Sequence, residues 1–320
     1  MLSGNRFCLF RHILREHPVM PLSFDLVFEP AYGKAVEVAA GVARITANNP
    51  SPFTFHGTNS YLVGTDTLAV IDPGPDDDRH FDTLMAAIGK RPVSHIFVSH
   101  THKDHSPLTA RLKAATGALV LAEGPHRSAR ERRPGEVGLD ASADLAFRPD
   151  RRLADGEVVD GGEWRLKTVL TPGHAANHAA FALEGTGILF SADHVMGWST
   201  TIVAPPDGSM ADYMASLDKL IGRGDRLLLP GHGGPVSRPA TFMRGLKAHR
   251  KMRERAILER IRLGDRTVKA MVEAIYRGTD PRLHGAAALS VLAHLEDLVA
   301  RGLVHAEGSP AIEAKYTPVA

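Results

Sequence analysis

Short apolar runs rich in β-branched side chains, separated by turns, recur from residue 41 to about residue 236. Runs of this kind read as strands, and they fall at residues 42–46, 61–63, 68–71, 96–99, 119–121, 166–170, 188–190 and 227–229. A few helical stretches lie between them, so this part of the chain predicts a mixed α/β fold. Many runs end in a polar turn: Asp72-Pro73-Gly74, His100-Thr101-His102-Lys103-Asp104-His105, Thr171-Pro172-Gly173-His174, Ser191-Ala192-Asp193-His194 and Pro230-Gly231-His232-Gly233. Loops at strand ends expose side chains that a rigid sheet holds in place.

Beyond Pro239 the pattern becomes helical to about residue 263, with further helices near 268–276 and 286–300. Leu303-Val304-His305 and Ala314-Lys315-Tyr316-Thr317 could supply two strands. Three helices followed by a small hairpin predict a winged helix-turn-helix. The expected division is a disordered leader at 1–20, a catalytic domain at 21–238 and a winged-helix-like domain at 239–320.

The 320 residues, 43% hydrophobic and 23% charged, match an ordinary globular protein with one large core and a small satellite. No uninterrupted apolar stretch approaches the roughly 20 residues that cross a bilayer, which sets a membrane-spanning reading aside. The single cysteine, Cys8, excludes an intramolecular disulfide and a cysteine-based zinc knot, so any metal must sit on His, Asp or Glu. The leader carries Arg6, Arg11 and Arg15 but no long apolar segment with a small-residue cleavage site, and a cytoplasmic location is the expectation. A net charge of +2 does not by itself imply a polyanionic partner. The distribution changes that picture, because residues 238–262 hold nine Lys or Arg against two Glu.

The H-x-H-x-D-H spacing at residues 100–105, directly after an apolar run, carries the chemistry. Two residues apart in an extended segment, His100 and His102 point the same way and can chelate one ion. Asp104 and His105, after the chain has turned, can face a second. Zinc-type ions favour imidazole and carboxylate donors, and a catalytic site leaves a position open for water. The later turns supply the remaining donors. His100, His102 and His174 are assigned to one ion, Asp104, His105 and His232 to the other, and Asp193 bridges them. Asp72 is expected to orient a ligand from behind, His178 either to orient a ligand or to serve the structure, and His194 to point away.

These five turns, in this order, resemble the metallo-β-lactamase superfamily. The resemblance implies a four-layered αβ/βα sandwich with the metals at one edge. An acid at the position of Asp193 is similar to the glyoxalase II and ribonuclease branches; antibiotic-hydrolysing lactamases lack one there, so a true β-lactamase activity is disfavoured. Three segments resemble the β-lactamase-like protein 2 family more narrowly: Asn49-Pro50-Ser51-Pro52-Phe53-Thr54-Phe55-His56-Gly57-Thr58-Asn59-Ser60-Tyr61, Gly197-Trp198-Ser199-Thr200-Thr201-Ile202-Val203 and His249-Arg250-Lys251-Met252-Arg253-Glu254-Arg255. Members of that family append a winged-helix domain, and its animal member is a single-strand endoribonuclease.

The expected activity is that of a dinuclear metal-dependent hydrolase. Two divalent ions, Zn2+ in the first instance, would share a bridging hydroxide formed near neutral pH. Asp104 would bind one ion and hold or relay the proton. The loop at 197–206, with Thr200 and Thr201, is expected to overhang the metals; its hydroxyls suit a phosphate oxygen or a turn hydrogen bond equally. Two substrate classes stay open. The basic segment favours single-stranded RNA, while a glyoxalase II-like hydrolase of a small thioester, ester or lactone would use the C-terminal domain as a lid or in a homodimer. A regulator with a vestigial metal site is disfavoured by the complete ligand set.

Overall fold

The apolar runs of the first half build one sheet from β1 (Val36–Ala39), β2 (Val42–Thr46), β3 (Asn59–Val63), β4 (Leu68–Ile71), β5 (Val93–Phe97), β6 (Leu119–Ala122) and β7 (Arg151–Arg152), side by side in that order. Neighbours from β1 to β4 pair antiparallel, and those from β4 to β7 pair parallel. Parallel neighbours need a crossover, and helices α1 (Asp78–Ile88) and α2 (Thr109–Thr116) provide the first two. The Asp77 carboxylate caps α1 by accepting from His80 N at 2.7 Å. In this computed structural model the described residues are 22–133, 136, 142–278 and 280–319; the expected leader and Cys8 lie outside them.

A second sheet holds β8 (Val158–Asp160), β9 (Arg165–Leu170), β10 (Ala179–Leu183), β11 (Ile188–Ala192) and β12 (Leu227–Pro230), in the spatial order β12-β11-β10-β9-β8. Helix α3 (Met210–Ile221) makes the crossover between the parallel strands β11 and β12. Tyr61, Phe97, Trp164, Phe181 and Phe190 fill the space between the sheets. Leu84, Ile88, Leu108 and Leu112 seal α1 and α2 onto the outer face of the first sheet, and Tyr213, Leu217 and Leu220 seal α3 onto the second. The result is the expected four-layered αβ/βα sandwich.

The C-terminal part comprises α4 (Pro239–Arg262), α5 (Val268–Ile275), a 3-10 turn (Pro281–Leu283), α6 (His284–Ala300) and a hairpin of β13 (Val304–Ala306) and β14 (Tyr316–Pro318). Met243 and Leu246 of α4 join the core beneath α3, whereas Ile257 and Ile261 join a separate core with Val291, Leu295 and Tyr316. One rigid helix therefore ties the winged helix to the sandwich.

Two sequence expectations need correction. Residues 281–300 do form a segment long and apolar enough, by length and composition, to cross a membrane; here Val291, Leu292, Leu295 and Leu298 bury it in the C-terminal core. The strand expected at 96–99 instead spans Val93–Phe97, starting three residues earlier and ending two earlier, because Ser99 N turns to the Asp72 carboxylate, donating to Oδ1 at 2.7 Å.

Candidate metal centre

The polar turns after β4, β5, β9, β11 and β12 meet at one end of the sandwich. Donor atoms of His100, His102 and His174 lie within 4.8 Å of one another, as do those of His100, His105 and Asp193, and those of Asp104, His105 and His232. All seven residues assigned from the sequence are thus brought into one cluster.

Hydrogen bonds behind the cluster decide which ring nitrogens face it. The Ile202 carbonyl and the Gly57 carbonyl can only accept, so His174 Nδ1 donates to the first at 2.7 Å and His232 Nδ1 to the second at 3.1 Å. His105 Nδ1 donates to Asp72 Oδ2 at 3.0 Å. Ser99 Oγ also donates to Asp72 Oδ2, at 2.7 Å, and so accepts from His100 Nδ1 at 3.0 Å. With Nδ1 committed outward, each of these four imidazoles in its neutral, ligating form turns Nε2 inward as the lone-pair donor. Such outer hydrogen bonds orient metal ligands and raise their basicity.

The inward atoms crowd one another in a way that calls for a cation. His102 Nδ1 lies 3.0 Å from both His100 Nε2 and His174 Nε2, where at most one proton could serve three lone pairs. His105 Nε2 and Asp193 Oδ1 are buried without a hydrogen-bond partner. Burial pushes the His232 imidazole down, but Asp193 and Asp104 outweigh it and carry it up to about 9. Burial lowers His102 to about 3, with His174 adding to the effect, which keeps it in the neutral, ligating form. Burial would raise the Asp104 carboxyl, yet His105 and His232 hold it well below the usual range. The donor set fits divalent ions of zinc type.

Asp193 spans the cluster. Its Oδ2 lies 3.6 Å from His174 Nε2 and 3.2 Å from His232 Nε2, and its Oδ1 lies 3.4 Å from His105 Nε2. Asp104 Oδ2 lies 3.2 Å from His232 Nε2 and 3.4 Å from His105 Nε2. Gly231 lets β12 approach this closely, since a Cβ there would sit 2.3 Å from Asp193 Oδ1. Gly173, at φ +144°, does the same for the His174 turn, where a Cβ would sit 2.4 Å from Tyr213 Cα. Both Asp72 and Ala192 take positive φ, 50° and 43°. Backbone in that region is costly for a residue with a side chain and persists where surrounding contacts fix it.

Other residues singled out by sequence divide clearly. Asp72 is the hub behind His100 and His105, as expected. His178 Nδ1 lies 2.8 Å from Thr171 Oγ1 and its ring packs 5.1 Å from that of His100. His194 packs on Tyr213 at 4.6 Å, outside the donor groups. The Thr201 hydroxyl is spent on a turn, donating to the Asp193 carbonyl at 2.7 Å. Sequence reasoning assigned no role to Thr58, Asn59 and Tyr61. Thr58 Oγ1 lies 3.3 Å from Asp104 Oδ2, Asn59 Nδ2 donates to the Pro230 and Gly233 carbonyls at 3.0 and 2.9 Å, and Tyr61 donates to the Pro230 carbonyl at 2.7 Å. Polar residues at 58–61 inside an otherwise apolar strand were the signal.

Comparison with known proteins agrees with this geometry. Residues 53–232 match the metallo-beta-lactamase superfamily, and residues 267–314 match the beta-lactamase associated winged helix domain. A beta-lactamase-like protein 2 homolog from Drosophila melanogaster is 29% identical, over 83% of this chain and 90% of its own. An atrochrysone carboxyl ACP thioesterase from Paecilomyces divaricatus is 28% identical, over 75% and 73%. A crystal structure of a beta-lactamase domain protein from Burkholderia ambifaria superposes with a TM-score of 0.75 at 23% identity, covering 91% of this chain and 95% of that one. The chain belongs to the metallo-β-lactamase superfamily and is a hydrolase of that fold with a C-terminal winged-helix domain.

Proposed function

We propose that this hydrolase works with two zinc-type ions and cleaves a small carboxylic thioester or ester. The observation that carries the two-ion reading is the reach of Asp193 to His174 on one side and to His105 and His232 on the other. His100, His102 and His174 would hold one ion, Asp104, His105 and His232 the second, with Asp193 shared. When bound, such ions supply Lewis acidity to the attacked carbonyl and bring the pKa of water toward neutrality. Asp104, with its side chain 25% exposed against 8% for Asp193, is the carboxylate open to substrate and holds or relays the proton that water gives up. Water adds to the carbonyl carbon, the carbon–sulfur or carbon–oxygen bond breaks, and a carboxylate and a thiol or alcohol leave.

Relatives named as thioesterases support this substrate class. RNA is the second reading, favoured by an exposed stripe of Arg244, Lys251, Arg255 and Arg262 on α4. At about 100° per residue the stripe lies about 120° around α4 from Arg250, which donates to the Thr201 carbonyl in the loop after Asp193, so it faces away from that loop. The test is turnover by zinc-loaded protein of an acyl thioester and of an unstructured RNA. Chelator-sensitive thiol release supports the proposal, and RNA cleavage without thiol release refutes it.

A further inference from the structure

A cleft of about 290 Å³ opens between the loop at 199–202, the loop carrying Phe53, and the helices α4 and α6. Both loops are anchored in the metal cluster. Ile202 accepts from His174 and Thr201 donates to the Asp193 carbonyl, while Gly57 accepts from His232 and Thr58 contacts Asp104. The cleft therefore shares two of its loops with the catalytic site, and its far wall belongs to the winged-helix part.

That wall is cationic. Arg250, His249 and Arg253 line it, and no acidic residue does among the described residues. Arg250 is 4% exposed; it donates to the Thr201 carbonyl, and its Nε is buried without a partner. His249 Nδ1 is likewise buried and unpartnered. Arg253 makes no ion pair among the described residues and stacks on Tyr276, with its guanidinium carbon 4.4 Å from the ring centroid. Burial, with Arg253 and Arg250 adding to it, lowers His249 to about 4, so the imidazole is neutral and the positive charge of the wall rests on the two arginines. Thr200 and Ser290 add hydroxyls, and Phe53 and Tyr276 add apolar walls.

We propose that this cleft is an anion subsite that holds a phosphate group on the thiol half of the substrate, placing the acyl bond at the metal cluster. The Arg250 and Arg253 guanidinium groups lining this cleft, with the Thr200 and Ser290 hydroxyls beside them, match phosphate oxygens in charge and hydrogen bonding, and the apolar walls suit the chain joining phosphate to sulfur. This rests on the thioester reading above and adds the position and charge of the leaving group.

The test compares S-acetyl-4′-phosphopantetheine with S-acetyl-pantetheine, the same thioester with and without one phosphate. Zinc-loaded wild type is expected to favour the phosphorylated compound in kcat/KM by about tenfold or more, the effect of one charge-assisted hydrogen bond. Arg253→Gln brings the ratio to within about twofold, whereas Lys269→Gln, on the exposed side of α5, leaves it as in wild type. Arg253→Lys, which keeps the charge, retains part of the preference and so separates lost charge from lost fold. Titration calorimetry with inorganic phosphate gives a readout independent of turnover: wild type takes up one more phosphate per chain than Arg253→Gln. Equal phosphate stoichiometry, or equal kcat/KM for the two thioesters in wild type, overturns the subsite. Extra phosphate bound without turnover of either thioester keeps the anion site and refutes the thioester as its source; RNA cleavage lost in Arg253→Gln would then name the phosphodiester backbone instead.

Discussion

Asp72 Oδ2 and His105 Nδ1 lie 3.0 Å apart, both side chains nearly closed to solvent. The same carboxylate takes two hydrogen bonds from Ser99 and, through its hydroxyl, sets His100. Asp72→Asn removes the charge and one acceptor while tolerating the positive φ at this position. Metal affinity is expected to fall about 10- to 100-fold, the usual consequence of losing such support, with the fold retained. Competition titration against a chromophoric chelator measures this, and unchanged affinity would remove Asp72 from the account.

Gly231→Ala places a Cβ against Asp193 and His105. No flexible side-chain end can yield there without moving a donor atom, so zinc binding weakens by about tenfold or more while circular dichroism stays native. A variant with wild-type zinc affinity would show that the cluster is looser than described.

Phe181, fully buried between the sheets, meets Phe97 at a centroid distance of 5.1 Å and 64°. Phe181→Ala is expected to cost about 3–5 kcal/mol of stability, read from urea unfolding. A loss below about 1 kcal/mol would mean that the two sheets are not cemented at this point.

Burial holds three imidazoles outside the donor groups below their usual value, His80 and His249 at about 4 and His294 at about 3, with Arg250 and Arg253 adding to the last two. Unfolded histidine titrates near 6.5, so between these values the unfolded chain binds more protons. The stability these groups provide is complete above about pH 6.5 and is lost as pH falls toward 4 and 3. His294 also has both nitrogens buried without partners. His294→Leu should match wild-type stability at pH 7 and flatten the loss below pH 6 by about 1.4 kcal/mol per pH unit. Parallel urea curves at pH 7 and pH 5 decide it; an unchanged pH slope contradicts the assignment.

How far the sequence could be read depended on whether local chemistry carried the signal. Residues 42–46 and 68–71 are strands with the bounds expected from β-branched runs, and the order of the five turns anticipated the cluster because each motif is contiguous. β10 escaped notice although it lies between β9 and β11 and is buried along its whole length. Its sequence, Ala-Ala-Phe-Ala-Leu, has little intrinsic strand preference, and pairing on both sides decides its state. β7, two exposed arginines, forms only because β6 offers an edge. Within the site, the role of Asp72 was legible from its turn, but those of Thr58, Asn59 and Gly231 depend on β3 and β12 closing on one another, which no local pattern encodes. The basic count of residues 238–262 also misled about direction, since Arg250 turns inward and Lys247 and Arg260 pair with Asp218 and Asp265.

The measurement closest to the central claim is native mass spectrometry of the zinc-loaded protein and its Asp193→Ala variant, each assayed for chelator-sensitive hydrolysis. The account predicts two divalent ions per wild-type chain, fewer than two in the variant, and loss of activity with the missing ion. Two ions and full activity in Asp193→Ala would contradict it.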